Sequence, residues 1–263
     1  MGERKPTRIG DALWRTIEHA IHIEKATSEK NFTKANEHRK KGPILLAANH
    51  FSWLDTSALA VGLKTNGIPL GVVTGIASRR HLENILKRYI ISKLKDSQGF
   101  DVIEIVQTKD FDRYKDHDLF NTRALLKGAR LLRKKGNVVA ISPEGERSRK
   151  GGLLKALPGA EVLFRLGGEN VRVLPVSIYP YSIRPFTTST HVEAGSLLSL
   201  SQAETETLAI NKRIEEFNQQ QGTDIFLVNI PDIIMLHIAL PMSPDNHGFY
   251  KRHMEIARDL IAA

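Results

Sequence analysis

Two short segments of this 263-residue chain carry the residue types that acid-base and anion-binding chemistry require. The first, Ala47-Ala48-Asn49-His50-Phe51-Ser52-Trp53-Leu54-Asp55, ends an apolar run and opens a helical pattern. A histidine there can take a proton from an attacking hydroxyl, because an unperturbed imidazole titrates at about pH 6.5. Asp55 could hold the His50 tautomer and balance its charge. A plainer reading stands beside this one: Ser52-x-x-Asp55 fits a helix capping box, in which the carboxylate only satisfies backbone donors. Paired metal ligands on one helix prefer positions i and i+4, whereas i and i+5 lie about 140° apart, so no metal is expected at this pair.

The second segment is Ile141-Ser142-Pro143-Glu144-Gly145-Glu146-Arg147-Ser148-Arg149-Lys150-Gly151-Gly152. Gly145 lets backbone approach a ligand, Arg147 offers a fork that fits phosphate oxygens, and Glu144 could accept from a ligand hydroxyl. The alternative is a solvated charged loop.

Both segments need a scaffold that brings them together, and the pattern supplies one. Apolar runs at Ile44 to Ala48, Ile68 to Thr74, Val102 to Val106, Val138 to Ser142 and Val171 to Ile178 alternate with amphipathic segments. Runs apolar throughout are strands buried on both faces, so the fold expected is α/β, a largely parallel sheet flanked by helices. In such sheets ligands bind beyond the carboxyl ends of the strands, where both segments fall. Helices are expected at Asn121 to Lys135, with Gly136 as its cap, at Gln202 to Gln221, and at Gly248 to Ala263. Ile225 to Leu240 reads as two buried elements around a proline turn. An N-terminal amphipathic helix is expected from Ile9 to Glu24, its stripe of Ile9, Leu13, Trp14, Ile17 and Ile21 covering the main domain or touching a bilayer. Lys25 to Lys41 reads as a solvated helix end and linker. A seam near Lys41 then divides an N-terminal helical segment, residues 1–41, available for membrane-surface contact, from an α/β domain, residues 42–263.

Composition narrows the function. Thirty-eight Lys and Arg against 29 Asp and Glu give a formal charge of +9, which favours anionic partners. The absence of cysteine excludes disulfides, thiolate metal sites and thiol nucleophiles. No apolar stretch reaches the roughly 20 residues of a membrane span, and the N-terminus lacks the apolar core of a secretory signal, so a cytoplasmic protein is expected. Aromatics make up only 6% and are not interleaved with the cationic runs, which argues against nucleic acid as partner. No G-x-S-x-G elbow supports a serine nucleophile.

Taken together, Asn49-His50-x-x-x-x-Asp55 and Pro143-Glu144-Gly145-x-Arg147-Ser148 resemble the first and third motif blocks of the glycerolipid acyltransferase family, which includes 1-acylglycerol-3-phosphate O-acyltransferase. Leu174-Pro175-Val176-Ser177-Ile178 is similar to the fourth block. The resemblance runs from about Pro43 to Tyr179. It implies that His50 deprotonates an acceptor hydroxyl, that Asp55 orients His50, and that the hydroxyl attacks an acyl thioester with no covalent enzyme intermediate. It assigns Asn49, Glu144, Gly145, Arg147 and Ser148 to substrate binding, with Arg147 meeting the phosphate. The implied donor is acyl-coenzyme A or acyl-carrier protein, the acceptor a lysolipid, most directly 1-acylglycerol-3-phosphate. The setting it implies is the inner face of a membrane, whose anionic surface the protein meets peripherally.

The chain departs from the family pattern at three places. Position 146 is Glu where the third block usually has Thr, a second carboxylate that weakens an anion site by repulsion. Gln107 stands about where the second block has Arg, leaving Lys109 or Arg113 as substitutes. Pro158 precedes Gly159 where a basic residue is common. Glycerol-3-phosphate or a lyso-aminolipid drawn by Glu146 are the alternative acceptors, and a nonenzymatic basic module binding membrane or nucleic acid is the alternative class.

Overall fold

Five consecutive residues, Ile44–Ala48, are 5% exposed or less and form the strand β2 of the numbering below. Leu45 and Ala47 enter one hydrophobic cluster, while Ile44, Leu46 and Ala48 enter another. A strand buried on both sides must lie inside a layered α/β fold, since each face is covered by its own helices. The computed structural model describes residues 8–23, 29–52, 55–148, 150–184 and 187–262.

In chain order the elements are α1 (Arg8–Ala20), β1 (Ile21–Ile23), α2 (Glu29–Arg39), β2 (Ile44–Ala48), α3 (Asp55–Thr65), β3 (Val73–Ser78), α4 (Arg79–Glu83), α5 (Ile85–Gln98) and β4 (Asp101–Ile105). They continue with α6 (His117–Leu131), β5 (Val138–Ile141), α7 (Gly159–Gly167), β6 (Arg172–Arg184), β7 (Thr187–Ala194), α8 (Leu200–Gln221), α9 (Ile230–Ala239) and α10 (Lys251–Ala262). The sheet runs β1-β7-β6-β2-β5-β3-β4 and is parallel except for the antiparallel β6/β7 pair. One face packs against α6 to α10 and the other against α1 to α3, so the expected largely parallel, helix-flanked α/β architecture is what the chain adopts.

The topology makes a crevice between β2 and β5. The chain leaves β2 for β3, passing β5, and leaves β5 for β6, passing β2. Loops that depart in opposite directions from neighbouring parallel strands leave a gap at their carboxyl ends, the usual ligand position in open α/β sheets.

Several elements differ from what the pattern predicts. Instead of a strand from Ile68, Pro69 precedes a short 3-10 turn at Leu70–Val72, and β3 begins at Val73. Proline has no N–H for a ladder. The expected N-terminal helix stops at Ala20, and Ile21–Ile23 pairs in parallel with β7. The stretch read as linker contains α2, which buries Phe32 and Ala35 completely. Trp14 is 5% exposed within the second cluster, with the Lys64 ammonium 5.0 Å from its ring centroid, so the α1 stripe covers the domain at this residue. Ile225 to Leu240 is not two elements around a proline turn: Pro231 sits in the first turn of a single helix, α9, entered through a capping box formed by Asn229 and Asp232. No helix among the described residues is long and apolar enough to cross a membrane.

Candidate active site

Register alone brings the two chemical segments together. Ala47 on β2 faces Ile141 on β5. His50 and Glu144 each lie three positions further along. There the His50 backbone N–H donates to Glu144 Oε2 at 2.7 Å, and the Ser148 N–H donates to the His50 carbonyl at 2.8 Å. The loop after β5 therefore clamps residue 50 from both sides of its peptide. Asn49, 2% exposed, anchors the other flank: its side-chain amide donates to the Ile178 carbonyl at 2.7 Å and accepts from the Ile178 N–H at 2.7 Å. In effect it extends the β2/β6 ladder by one rung.

His50 Nδ1 lies 3.1 Å from Asp55 Oδ2, with the two side chains 24% and 9% exposed. The same oxygen accepts the backbone N–H groups of Phe51 at 2.5 Å and Ser52 at 2.6 Å. The capping role and the histidine-orienting role are thus held by one carboxylate, which fixes the turn entering α3 and the imidazole together. Because a carboxylate only accepts, the Nδ1 position carries the proton in this pair and Nε2 is left with its lone pair. Trp53 and Leu54 lie outside the described residues.

Glu144 is 2% exposed and uses both oxygens on backbone: Oε2 on His50, and Oε1 on the Leu154 N–H at 2.7 Å. Burial pushes its pKa up to about 7, with the Asp55 and Glu146 charges adding to the rise and the two N–H donors opposing it. The Leu154 stretch is itself held from the C-terminus. Tyr250 OH accepts from the Ala156 N–H at 2.8 Å and donates to Asp232 Oδ1 at 2.7 Å. Leu153 exchanges backbone bonds with Asn246 and Phe249, an approach so close that a Cβ on Gly248 would sit 2.3 Å from the Leu153 oxygen.

A cavity of about 480 Å³, inside the usual range for small-molecule sites, opens at these strand ends. His50, Asp55, Asn49 and Gly145 line it on one side, and its wall is largely apolar, with Leu59, Ile76, Leu125, Leu157 and Val162. The hydroxyls of Ser78 and Ser142, two further lining residues, are buried without a hydrogen-bond partner among the described residues. Gly145 has φ +69°, a left-handed turn that strains other residues, and a Cβ there would push aside Leu157 Cδ1 at 2.4 Å. Glu144, Arg147 and Ser148 are not part of the lining. Ser148 is 3% exposed with its Oγ unpartnered, and Arg147 is exposed with neither a hydrogen bond nor an ion pair among the described residues. No group of three or more His, Asp or Glu side chains among the described residues is arranged to hold a metal ion.

The departures at Gln107 and Glu146 find structural roles. Gln107 Nε2 donates to the Gly145 carbonyl at 2.5 Å, tying the β4 loop to the β5 loop. Glu146 lies 4.0 Å from Lys109, so the added carboxylate arrives with its own counter-charge. Arg113 pairs with Glu83 at 3.0 Å. Sequence reading missed Asn121, whose amide brackets the Val106 peptide with two 2.8 Å bonds as Asn49 brackets Ile178. The only available signal was an asparagine in the first turns of a helix following a strand.

A search of curated proteins gave no match. Among solved structures the chain is similar to the 1-acyl-sn-glycerophosphate (LPA) acyltransferase PlsC from Thermotoga maritima, at 18% identity and a TM-score of 0.44, over 76% of this chain and 74% of that one. The family model described as Acyltransferase matches residues 29–184, more than half of the sequence and the stretch that holds both loops of the crevice. The chain belongs to the acyltransferase family.

Proposed function

We propose that the protein transfers a fatty acyl group from an acyl thioester to the hydroxyl of a lysophospholipid, 1-acylglycerol-3-phosphate being the acceptor that fits best. The observation that carries this reading is the His50–Asp55 pair, 3.1 Å apart, at the wall of a largely apolar cavity. His50 Nε2 takes the proton of the acceptor hydroxyl as its oxygen attacks the thioester carbonyl. The imidazolium, stabilised by Asp55, then gives that proton to the departing thiolate when the carbon–sulfur bond breaks. The atoms balance without a covalent enzyme intermediate.

The cavity's aliphatic wall suits an acyl chain. Arg147, carried on the loop that clamps His50 and without a partner among the described residues, is a cation available to the acceptor phosphate. Glu146, which would favour an amine-bearing acceptor if uncompensated, faces Lys109 instead. A lipid acceptor places the reaction at a membrane surface. The +9 charge would draw the protein to an anionic one, which supports a peripheral setting, read here as the cytoplasmic face.

The test holds the donor fixed as palmitoyl-coenzyme A and compares lysophosphatidate, glycerol-3-phosphate and lysophosphatidylethanolamine. The highest kcat/KM is expected for lysophosphatidate. Equal or better use of either other compound overturns the acceptor assignment.

A further inference from the structure

A second concavity, about 330 Å³, lies beside the first where the chain leaves β3 and enters α6. Its character differs from that of the first. Arg79, Lys115 and Arg123 line it, against one carboxylate, Asp116. Lys115 and Arg123 form neither ion pair nor hydrogen bond among the described residues. Arg79 is held by its neighbours: the guanidinium carbon lies 5.0 Å from the Tyr114 ring centroid and 4.9 Å from that of Phe120, and Nε is 3.6 Å from Glu83. Aromatic contacts orient a guanidinium while leaving hydrogen-bond donors at its edge for an anion.

The two spaces are neighbours. Val106 lines both. Phe111 from the large cavity stacks on His117 from the small one, with centroids 3.8 Å apart and planes within 1°. A stacked pair of rings therefore stands between the apolar chamber and the cationic one.

Substrate chemistry decides which anion fits. In a lysophosphatidate the reacting hydroxyl and the phosphate sit on adjacent glycerol carbons, so once the hydroxyl meets His50 the phosphate stays beside it. Neither His50 nor Asp55 lines the second concavity, so a phosphate held there belongs to a group joined to the reacting carbonyl through a longer arm than one glycerol carbon. Coenzyme A has that form, with its phosphates at the far end of the pantetheine chain from the thioester sulfur. Resting on the acyl-transfer reading above, we propose that Arg79, Lys115 and Arg123 form the subsite for the phosphate groups at the nucleotide end of an acyl-coenzyme A donor.

Adenosine 3′,5′-bisphosphate, which carries nucleotide phosphates without the arm, is the probe. It is titrated by calorimetry into the full chain and into the double variant Lys115→Ala/Arg123→Ala, with thermal unfolding checked for both. The wild type is expected to bind it in a salt-sensitive manner, with affinity falling about tenfold or more in the variant, as two charge-assisted contacts are lost. In turnover the KM for palmitoyl-coenzyme A rises by a similar factor while the KM for lysophosphatidate does not. Equal affinity in the two proteins, no binding by the wild type, or a KM rise confined to lysophosphatidate overturns the subsite. Binding needs no turnover, so bisphosphate bound with no acyl transfer sinks the functional reading and leaves the subsite standing. Acyl transfer with no bisphosphate bound does the reverse.

Discussion

Glu144 Oε2 accepts the backbone N–H of His50 at 2.7 Å, so a carboxylate from the loop after β5 fixes the peptide that carries the imidazole after β2. Its other oxygen takes the Leu154 N–H at 2.7 Å. Glu144 is thereby a positioning residue: it joins three stretches of chain at the crevice and is absent from the cavity lining. The ionised carboxylate suits this task, since two converging N–H donors require two accepting oxygens.

Glu144→Gln tests that role. The amide keeps the shape but has one accepting oxygen, so one buried N–H must face an NH2 group. An unsatisfied buried donor costs about 1–3 kcal/mol. A loss of about 10- to 100-fold in kcat is expected, with little change in the KM values. Steady-state kinetics with palmitoyl-coenzyme A and lysophosphatidate checks this; kcat at the wild-type level would remove Glu144 from the positioning of His50.

The same carboxyl predicts a pH dependence of stability. Its folded-state pKa is raised to about 7 from an ordinary 4.5, chiefly by burial. A raised carboxyl favours folding when protonated, so its contribution is complete below about pH 4.5 and is lost as pH rises through about 7. Urea unfolding of the wild type and Glu144→Gln at several pH values between 4.5 and 8 should show the wild type losing stability relative to the variant as pH rises. Parallel curves would contradict the shift.

Tyr250 couples the C-terminus to the crevice. Its hydroxyl bridges the Ala156 N–H and Asp232, and burial followed by the Asp232 charge pushes the phenol far above its ordinary pKa, which keeps it a neutral donor. Tyr250→Phe leaves the Ala156 N–H and Asp232 Oδ1 without this partner, while Asp232 Oδ2 keeps the Asn229 N–H. A stability loss of about 1–3 kcal/mol is expected by chemical denaturation. A drop in kcat is expected as well, because Leu154 N–H reaches Glu144 from the same stretch. Unchanged stability would show that water replaces the hydroxyl.

The sequence made β2, β4, β5 and the helices α6, α8 and α10 legible because each carries a strong apolar pattern. β2 was located to the residue. β1 stayed hidden because three residues, Ile21–Ile23, continue the apolar spacing of α1, and only pairing with β7 decides against the helix. β7 itself reads Thr-Thr-Ser-Thr-His-Val-Glu-Ala and offers little apolar signal. At the site, residue type and spacing left Asp55 either a cap or a partner of His50, and the structure gives it both contacts. The amide brackets of Asn49 and Asn121 and the single Gln107 bond to Gly145 were not legible, because their partners are peptide groups on other segments, which leave no mark in residue identity. Glu144 was readable as important but not as buried, since its burial is set by the stretches around Leu154 and Tyr250 far along the chain.

In the proposed reaction His50, oriented by Asp55, is the base that activates the acceptor hydroxyl. This role is tested most directly by the rate of thiol release from palmitoyl-coenzyme A in the presence of lysophosphatidate, measured for the wild type, His50→Ala and Asp55→Asn with folding checked by circular dichroism. Losing a general base costs about 100- to 10,000-fold, and His50→Ala is expected to fall at least that far with the fold intact. Asp55→Asn should lose activity as well, and some stability with it, because the Asp55 carboxylate also holds the Phe51 and Ser52 N–H groups. A folded His50→Ala protein that releases thiol at the wild-type rate would contradict the account.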